Sequence, residues 1–103
     1  MPVQTREEVL DLITRHSKAI VAYGVRRCGV FGSVARGESR DSSDVDIIVE
    51  FEPARKTFRS FMDLAFFLED LLGRRVDLVT VESLSPYIGP HILQEVSYAP
   101  LNP

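Results

Sequence analysis

The sequence predicts an α/β fold, a small mixed β-sheet with helices mainly on one face. Three observations carry this. Two stretches place apolar residues at helical spacing, three short runs rich in β-branched residues read as strands, and glycine or proline stands at most of the junctions. The order helix, strand, turn, strand, helix, strand, helix shows no repeat or low-complexity tract, and helices then cover one sheet face and leave the other for chemistry.

The first helix is predicted from about Arg6 to Ala22. Thr5 and Glu8 have capping-box spacing, the Thr5 hydroxyl serving the amide of Glu8 and the Glu8 carboxylate reaching back to the cap amide. Val9, Leu12, Ile13, His16 and Ile20 follow at near-helical spacing, and Gly24 supplies a stop. Val25 to Phe31 reads as a strand ending at Gly32. The next strand, Val45-Asp46-Ile47-Ile48-Val49, is almost continuously apolar, as suits a strand covered on both faces, so Asp46 needs a partner or a task.

Phe51 to Lys56 is expected to connect to a helix from about Phe58 to Leu72. In it Phe61, Leu64, Phe67, Leu68 and Leu71 form a buried stripe, and Asp63, Glu69 and Asp70 face water. Gly73 ends it. Val76 to Val81 is the third strand, with Asp77 its charged exception. Ser85-Pro86 or Gly89-Pro90 starts a last short helix carrying Ile88, Ile92, Leu93 and Val96. The tail from Tyr98 to Pro103 is expected to be irregular.

With 103 residues, of which 45% are apolar and 26% charged, the chain suits one domain, 1–103, with one modest core. Twelve basic against fifteen acidic residues give a net charge of -3, which offers no general attraction to a nucleic-acid backbone. A single cysteine, Cys28, excludes an internal disulfide and the usual cysteine zinc cluster, so a reducing cytoplasm is expected. Neither an export signal nor a membrane-spanning stretch is read.

The chemistry concentrates in two places. Gly32-Ser33 ends a strand and leads into Val34-Ala35-Arg36-Gly37, a single helical turn. The free amides of such an opening, with the Ser33 hydroxyl, suit the outer phosphates of a nucleotide, and a missing Cβ at Gly32 lets phosphate and backbone approach closely. Asp44 and Asp46 follow. Alternate strand residues share a face, so the two carboxylates project together from Cα atoms roughly 6.5 Å apart.

If the third strand lies beside the second, Asp77 completes an oxygen cluster suited to magnesium, which prefers carboxylates, water and substrate phosphates. Asp77 is also the expected general base for an acceptor hydroxyl, its bland alternative being a salt bridge to Arg74 or Arg75. Arg36 and Arg40 are candidate phosphate contacts. Ser42 and Ser43 shape the turn before Asp44. His16 is expected to be a boundary residue of the first helix, His91 structural or exposed, Cys28 without a paired base and so no nucleophile, and Phe61, Phe66 and Phe67 core first.

From Gly32 to Asp46 the sequence carries Gly-Ser, ten residues, then Asp-x-Asp. With Val30-Phe31 before it, Ile47-Ile48-Val49-Glu50-Phe51 after it and Arg74-Arg75-Val76-Asp77-Leu78-Val79 further on, it resembles the minimal nucleotidyltransferase (MNT) family of the DNA polymerase beta-like nucleotidyltransferase superfamily. The likeness spans about Glu8 to Val96. It implies a nucleotidyltransferase-like fold, with Gly32 and Ser33 on the triphosphate of ATP, Asp44 and Asp46 on magnesium, and Asp77 on metal and acceptor. It also implies an antitoxin that adds AMP to a tyrosine of a HEPN-domain toxin encoded nearby.

Two other readings stand beside that one. The protein could neutralise its partner by complex formation without turnover, or transfer a nucleotide to a small molecule or RNA. Base preference, metal count and oligomeric state, a homo-oligomer included, are left open by the sequence.

Overall fold

The computed structural model describes residues 2–38, 40 and 43–101. Helix α1 spans Arg6–Arg15 and α2 spans Ser17–Ala22; strand β1, Val25–Phe31, follows, and then a single turn of helix, α3, Gly32–Ala35. Strand β2 is Val45–Phe51, α4 is Phe58–Leu72, β3 is Val76–Thr80, α5 is Gly89–Glu95 and β4 is Ser97–Tyr98. The sheet order is β3-β2-β1-β4, with β2 parallel to β3 and the other two pairings antiparallel. The sheet is therefore mixed, as expected.

The capping box forms at Thr5, where the side chain accepts from the Glu8 amide while the Glu8 carboxylate accepts from the Thr5 amide. The single helix expected from Arg6 to Ala22 is instead two. His16 leaves the helical conformation with φ -108° and ψ 26°, its Nδ1 lies 3.0 Å from the Leu12 carbonyl, and the Ser17 hydroxyl donates to the Thr14 carbonyl. Side chains that compete for backbone carbonyls in this way bend or interrupt helices, which the apolar spacing alone does not reveal.

Alternation divides β2 between two environments. Val45, Ile47, Val49 and Phe51 join the main core with Cys28 and Val30 of β1, Leu78 of β3, Val9 and Ile13 of α1, Ile20 of α2 and Leu64, Leu68 and Leu72 of α4. Asp46, Ile48 and Glu50 alternate onto the other face. Ile48 is fully buried there, so that face is not simply open to water. Strand β2 runs two residues further than expected, and a 3-10 turn at Pro53–Arg55 begins the connection to α4.

Helix α4 has the expected ends, with Gly73 as a left-handed cap at φ 69°. Its buried stripe is Leu64, Leu68 and Leu72, whereas Phe61, Phe67 and Leu71 pack partly buried at the margin. Glu69, expected to face water, is half-buried and accepts from the Val76 amide at 3.0 Å, so it supports the start of β3. Strand β3 stops one residue early, where Val81 opens a 3-10 turn. The last helix starts at the second of its two predicted places, with Pro90 in its first turn. Ile88 and Leu93 are exposed and Ile92 and Val96 only half-buried.

The tail is not wholly irregular. Ser97 and Tyr98 pair with Val30 and Gly29 of β1, and the Ala99 amide continues the contact to the Cys28 carbonyl at 2.9 Å. Two residues carry too little pattern to announce a strand. The pairing relies on Gly29, where a Cβ would lie 2.7 Å from Cγ1 of Val96 and 2.8 Å from the Ser97 carbonyl. Asn102 and Pro103 of the expected tail lie outside the described residues, as does Ser42 of the expected turn before Asp44.

Leu68 is fully buried at the centre of the helical stripe. Leu68→Ala is expected to cost about 2–5 kcal/mol in urea unfolding, the range for emptying such a site. A loss under about 1 kcal/mol would place the core elsewhere.

Candidate active site

The pairing of β2 with β3 builds the centre of the site. Asp46 stands directly opposite Asp77 in a register that continues through Ile47 and Leu78 to Val49 and Thr80. The pairing begins where the Val45 amide donates to the Arg75 carbonyl at 2.9 Å. Asp44 sits two residues before Asp46, just ahead of β2, and is exposed, as is Asp77, while Asp46 is half-buried. Asp46 and Asp77 thus stand side by side on adjacent strands, with Asp44 ahead of β2 near enough for its charge to act on Asp46.

Their charges are felt at Asp46. Burial first, then the charges of Asp77 and Asp44, push its carboxyl up to about 6; Arg36 opposes the rise and Glu95 adds to it. None of the three acids forms a salt bridge among the described residues, so the alternative of Asp77 paired with Arg74 or Arg75 is not what the structure adopts. Among the described residues no three His, Cys, Asp or Glu side chains stand as a ready-made metal cluster. Magnesium does not require one, because it is commonly held by one or two carboxylates with water and substrate phosphate completing its shell.

Gly32 opens α3 beside these acids. Its φ is +74°, and a Cβ there would fall 2.1 Å from Oδ2 of Asp46. The bare Cα leaves room for the Asp46 carboxylate, which sits where any side chain at position 32 would go. The helical turn also begins two residues earlier than expected, at Gly32. Ser33 is half-buried within it, and its carbonyl accepts from the Glu38 amide.

Two residues whose contacts the sequence does not give complete the surroundings, Glu95 and Arg74. Glu95, at the end of α5, accepts the Gly32 amide through Oε1 at 2.9 Å. It also binds Arg36, whose Nη1 lies 3.2 Å from both of its carboxylate oxygens, while Nε of Arg36 donates to Glu38 at 2.9 Å. Arg36, expected on phosphate, is thus held between two carboxylates of its own chain. The Glu95 contact joins positions 63 residues apart, and no local pattern signals it.

Arg74 is the second. Its terminal nitrogens donate to the carbonyls of Val3, Arg40 and Ser43, which ties the N-terminal segment and the approach to Asp44 onto the start of β3. A cleft of about 470 Å³ beside it is lined by Val3, Ser43, Asp44, Arg74 and Arg75 among others, and a second of about 330 Å³ adjoins Arg6, Val34 and Arg36. Arg40 donates its backbone amide to the Ser43 hydroxyl, consistent with a shaping role for Ser43. Burial pushes the Cys28 thiol up to about 12, which removes it from nucleophilic chemistry near neutrality.

A mixed sheet with acids on adjacent strands and a glycine-serine turn at the end of β1 defines a nucleotide-transferring class of protein. In keeping with that, residues 9–99 match the nucleotidyltransferase domain family, and the chain belongs to it. Within it the chain is a minimal nucleotidyltransferase: a solved structure of that type shares 39% identity at a TM-score of 0.70, covering 85% of this chain and 93% of that one. The protein adenylyltransferase MntA of Thermococcus cleftensis is 46% identical over 95% of this chain and 99% of its own. The MNT antitoxin fold of a tri-AMPylated Shewanella oneidensis HEPN toxin complex is similar at a TM-score of 0.63 with 19% identity, over 91% of this chain and 71% of that one, a likeness of fold. No helix among the described residues is long and apolar enough to cross a membrane.

The raised carboxyl at Asp46 has a sign. Between its ordinary value of 3.8 and about 6 the folded protein holds a proton that the unfolded chain has released. Asp46 therefore costs stability above that window, and the cost fades as pH falls through it. In magnesium-free buffer Asp46→Asn is expected to melt above the parent near neutral pH, the gap closing towards pH 4. A gap that does not change with pH would mean that the acids are not crowded.

Proposed function

We propose that the protein is a magnesium-dependent adenylyltransferase that moves AMP from ATP to a hydroxyl, a tyrosine, of a HEPN-domain toxin, and so acts as its antitoxin. The observation that carries this is the register of Asp46 against Asp77, with Asp44 two residues away. Two acids stand side by side there with the charge of a third acting on Asp46, and none of the three is in a salt bridge among the described residues. The adenylyltransferase activity of the 46%-identical Thermococcus cleftensis relative supports the donor, and the HEPN toxin held by an MNT antitoxin of the same fold supports the acceptor.

In this reading Gly32 and Ser33 receive the triphosphate, Arg36 contributes a guanidinium once it is released from its carboxylates, and Asp44 and Asp46 hold magnesium with Asp77 alongside. Neighbouring carboxylates, one of them half-buried with its carboxyl raised by burial and then by repulsion, fit a divalent cation, since its charge offsets both. When bound, magnesium supplies positive charge to the phosphates and to the leaving pyrophosphate.

The chain's own residues then position and deprotonate. The acceptor oxygen forms a bond to the α-phosphorus as the bond from that phosphorus to the oxygen bridging the β-phosphate breaks. Pyrophosphate departs with the bonding electrons, and the hydroxyl proton passes to the Asp77 carboxylate. Asp77 is exposed, as a base meeting a hydroxyl on a second protein must be.

The test is to incubate the protein with ATP, magnesium and the folded HEPN-domain protein encoded beside it, and to weigh the partner intact. One or more adenylyl groups are expected, and an unmodified partner would refute the reading. Asp77→Asn is expected to lower transfer at least ~100-fold in a folded protein, the usual loss for a positioned base, and near-parental turnover would remove Asp77 from that role. Asp44→Asn with Asp46→Asn is expected to abolish transfer and neutralisation while the complex still forms. Neutralisation that survives would favour a purely binding antitoxin.

A further inference from the structure

The Gly32 amide and the Arg36 guanidinium already hold an anion, and the anion belongs to the chain. Glu95 takes the Gly32 N–H at 2.9 Å and both of its oxygens lie 3.2 Å from Nη1 of Arg36. Each contact joins a carboxylate to a donor that also suits a phosphoryl oxygen, and the arginine contact is of the charge-assisted kind that phosphate forms. Gly32 is buried, so its amide needs an acceptor in every state of the site. Glu95 meets that need here, although its charge adds to the repulsion at Asp46. The arrangement keeps a negative group beside the acids without any requirement of the sheet, since the β1 and β4 pairing lies at Gly29 and Val30.

Resting on the assignment of Gly32 and Arg36 to the triphosphate, we propose that Glu95 is a resident stand-in for an outer phosphoryl group, and that it sets nucleotide affinity by competing for the same two donors. Nucleotide binding then requires the carboxylate to leave. The backbone just beyond Glu95 is held by the pairing of β4 with β1, so the rearrangement is one of the side chain, which is itself 31% exposed. The released Glu95 reaches water, and Arg36 turns from an intramolecular ion pair to the ligand. The observed affinity is the intrinsic affinity reduced by the fraction of molecules with Glu95 withdrawn.

The experiment is calorimetric titration of the parent, Glu95→Ala and Glu95→Gln with AMP-PNP, inorganic tripolyphosphate and AMP in magnesium buffer. If Glu95 is withdrawn about one-tenth of the time, Glu95→Ala tightens AMP-PNP and tripolyphosphate by about tenfold. Glu95→Gln, which retains size and an acceptor but loses the charge, tightens both by a smaller factor and serves should the alanine variant not fold. AMP, which lacks outer phosphates, binds the parent and the variants alike.

Parent and variants that bind AMP-PNP equally, or variants that bind it more weakly, would overturn the competition while leaving the triphosphate assignment in place. Equal tightening of AMP would also overturn it, since general electrostatics would then suffice. If neither the parent nor the variants bind tripolyphosphate, the assignment of Gly32 and Arg36 fails, and the competition fails with it.

Discussion

Parallel pairing of β2 with β3 places Asp46 against Asp77, and that placement imposes a like-charge penalty on the fold. A buried strand normally avoids such a pair, because ionised carboxylates lose hydration and repel one another. Here the main core absorbs the cost from the other face. Alternation sends Val45, Ile47, Val49 and Phe51 into a layer packed by α1, α2 and α4, so most of the sheet's anchoring lies on that face, while Ile48 is buried on the face that bears the acids.

Around that frustrated pair the neighbouring residues have been fitted closely. Gly32 gives up its side chain to admit the Asp46 carboxylate, Arg74 draws three carbonyls together ahead of Asp44, and Arg36 with Glu95 closes the far side. Each adjustment is local and inexpensive, whereas ionisation of adjacent acids is neither. A site of this kind tends to be poorly satisfied until its ligand arrives, and binding supplies the counter-charge that the polypeptide withholds.

Much of this was legible in the sequence where the signal is short-range. The limits of β1 and α4 and the capping box at Thr5 follow from alternation, helical spacing and capping chemistry, whereas the adjacency of the two acid-bearing strands stood in the sequence only as a condition. What escaped depends on contacts between distant positions. The break at His16 arises from side chains that compete for backbone carbonyls. Glu69 lies on the polar side of α4 yet supports the first amide of β3, and β4 is too short to have a period. Glu95 and Arg74 look like ordinary surface charges until the fold brings Gly32 and the carbonyls ahead of Asp44 to them. The nucleotide-transferring character was readable from one spaced motif, but the ion pair that guards it was not.

Gly29 extends the argument to the edge of the sheet. One methyl of Val96 and the carbonyl of Ser97 rest almost on its bare backbone, and Glu95 is the residue immediately before them. A methyl group introduced at position 29 would lift that edge outward and draw the adjoining carboxylate with it. A position without a side chain, on the strand that ends at the glycine-serine turn, therefore governs how far an acid from the last helix can reach. On the proposal that Glu95 competes with the nucleotide, evolutionary drift there would retune the grip on the donor without changing any residue assigned to it.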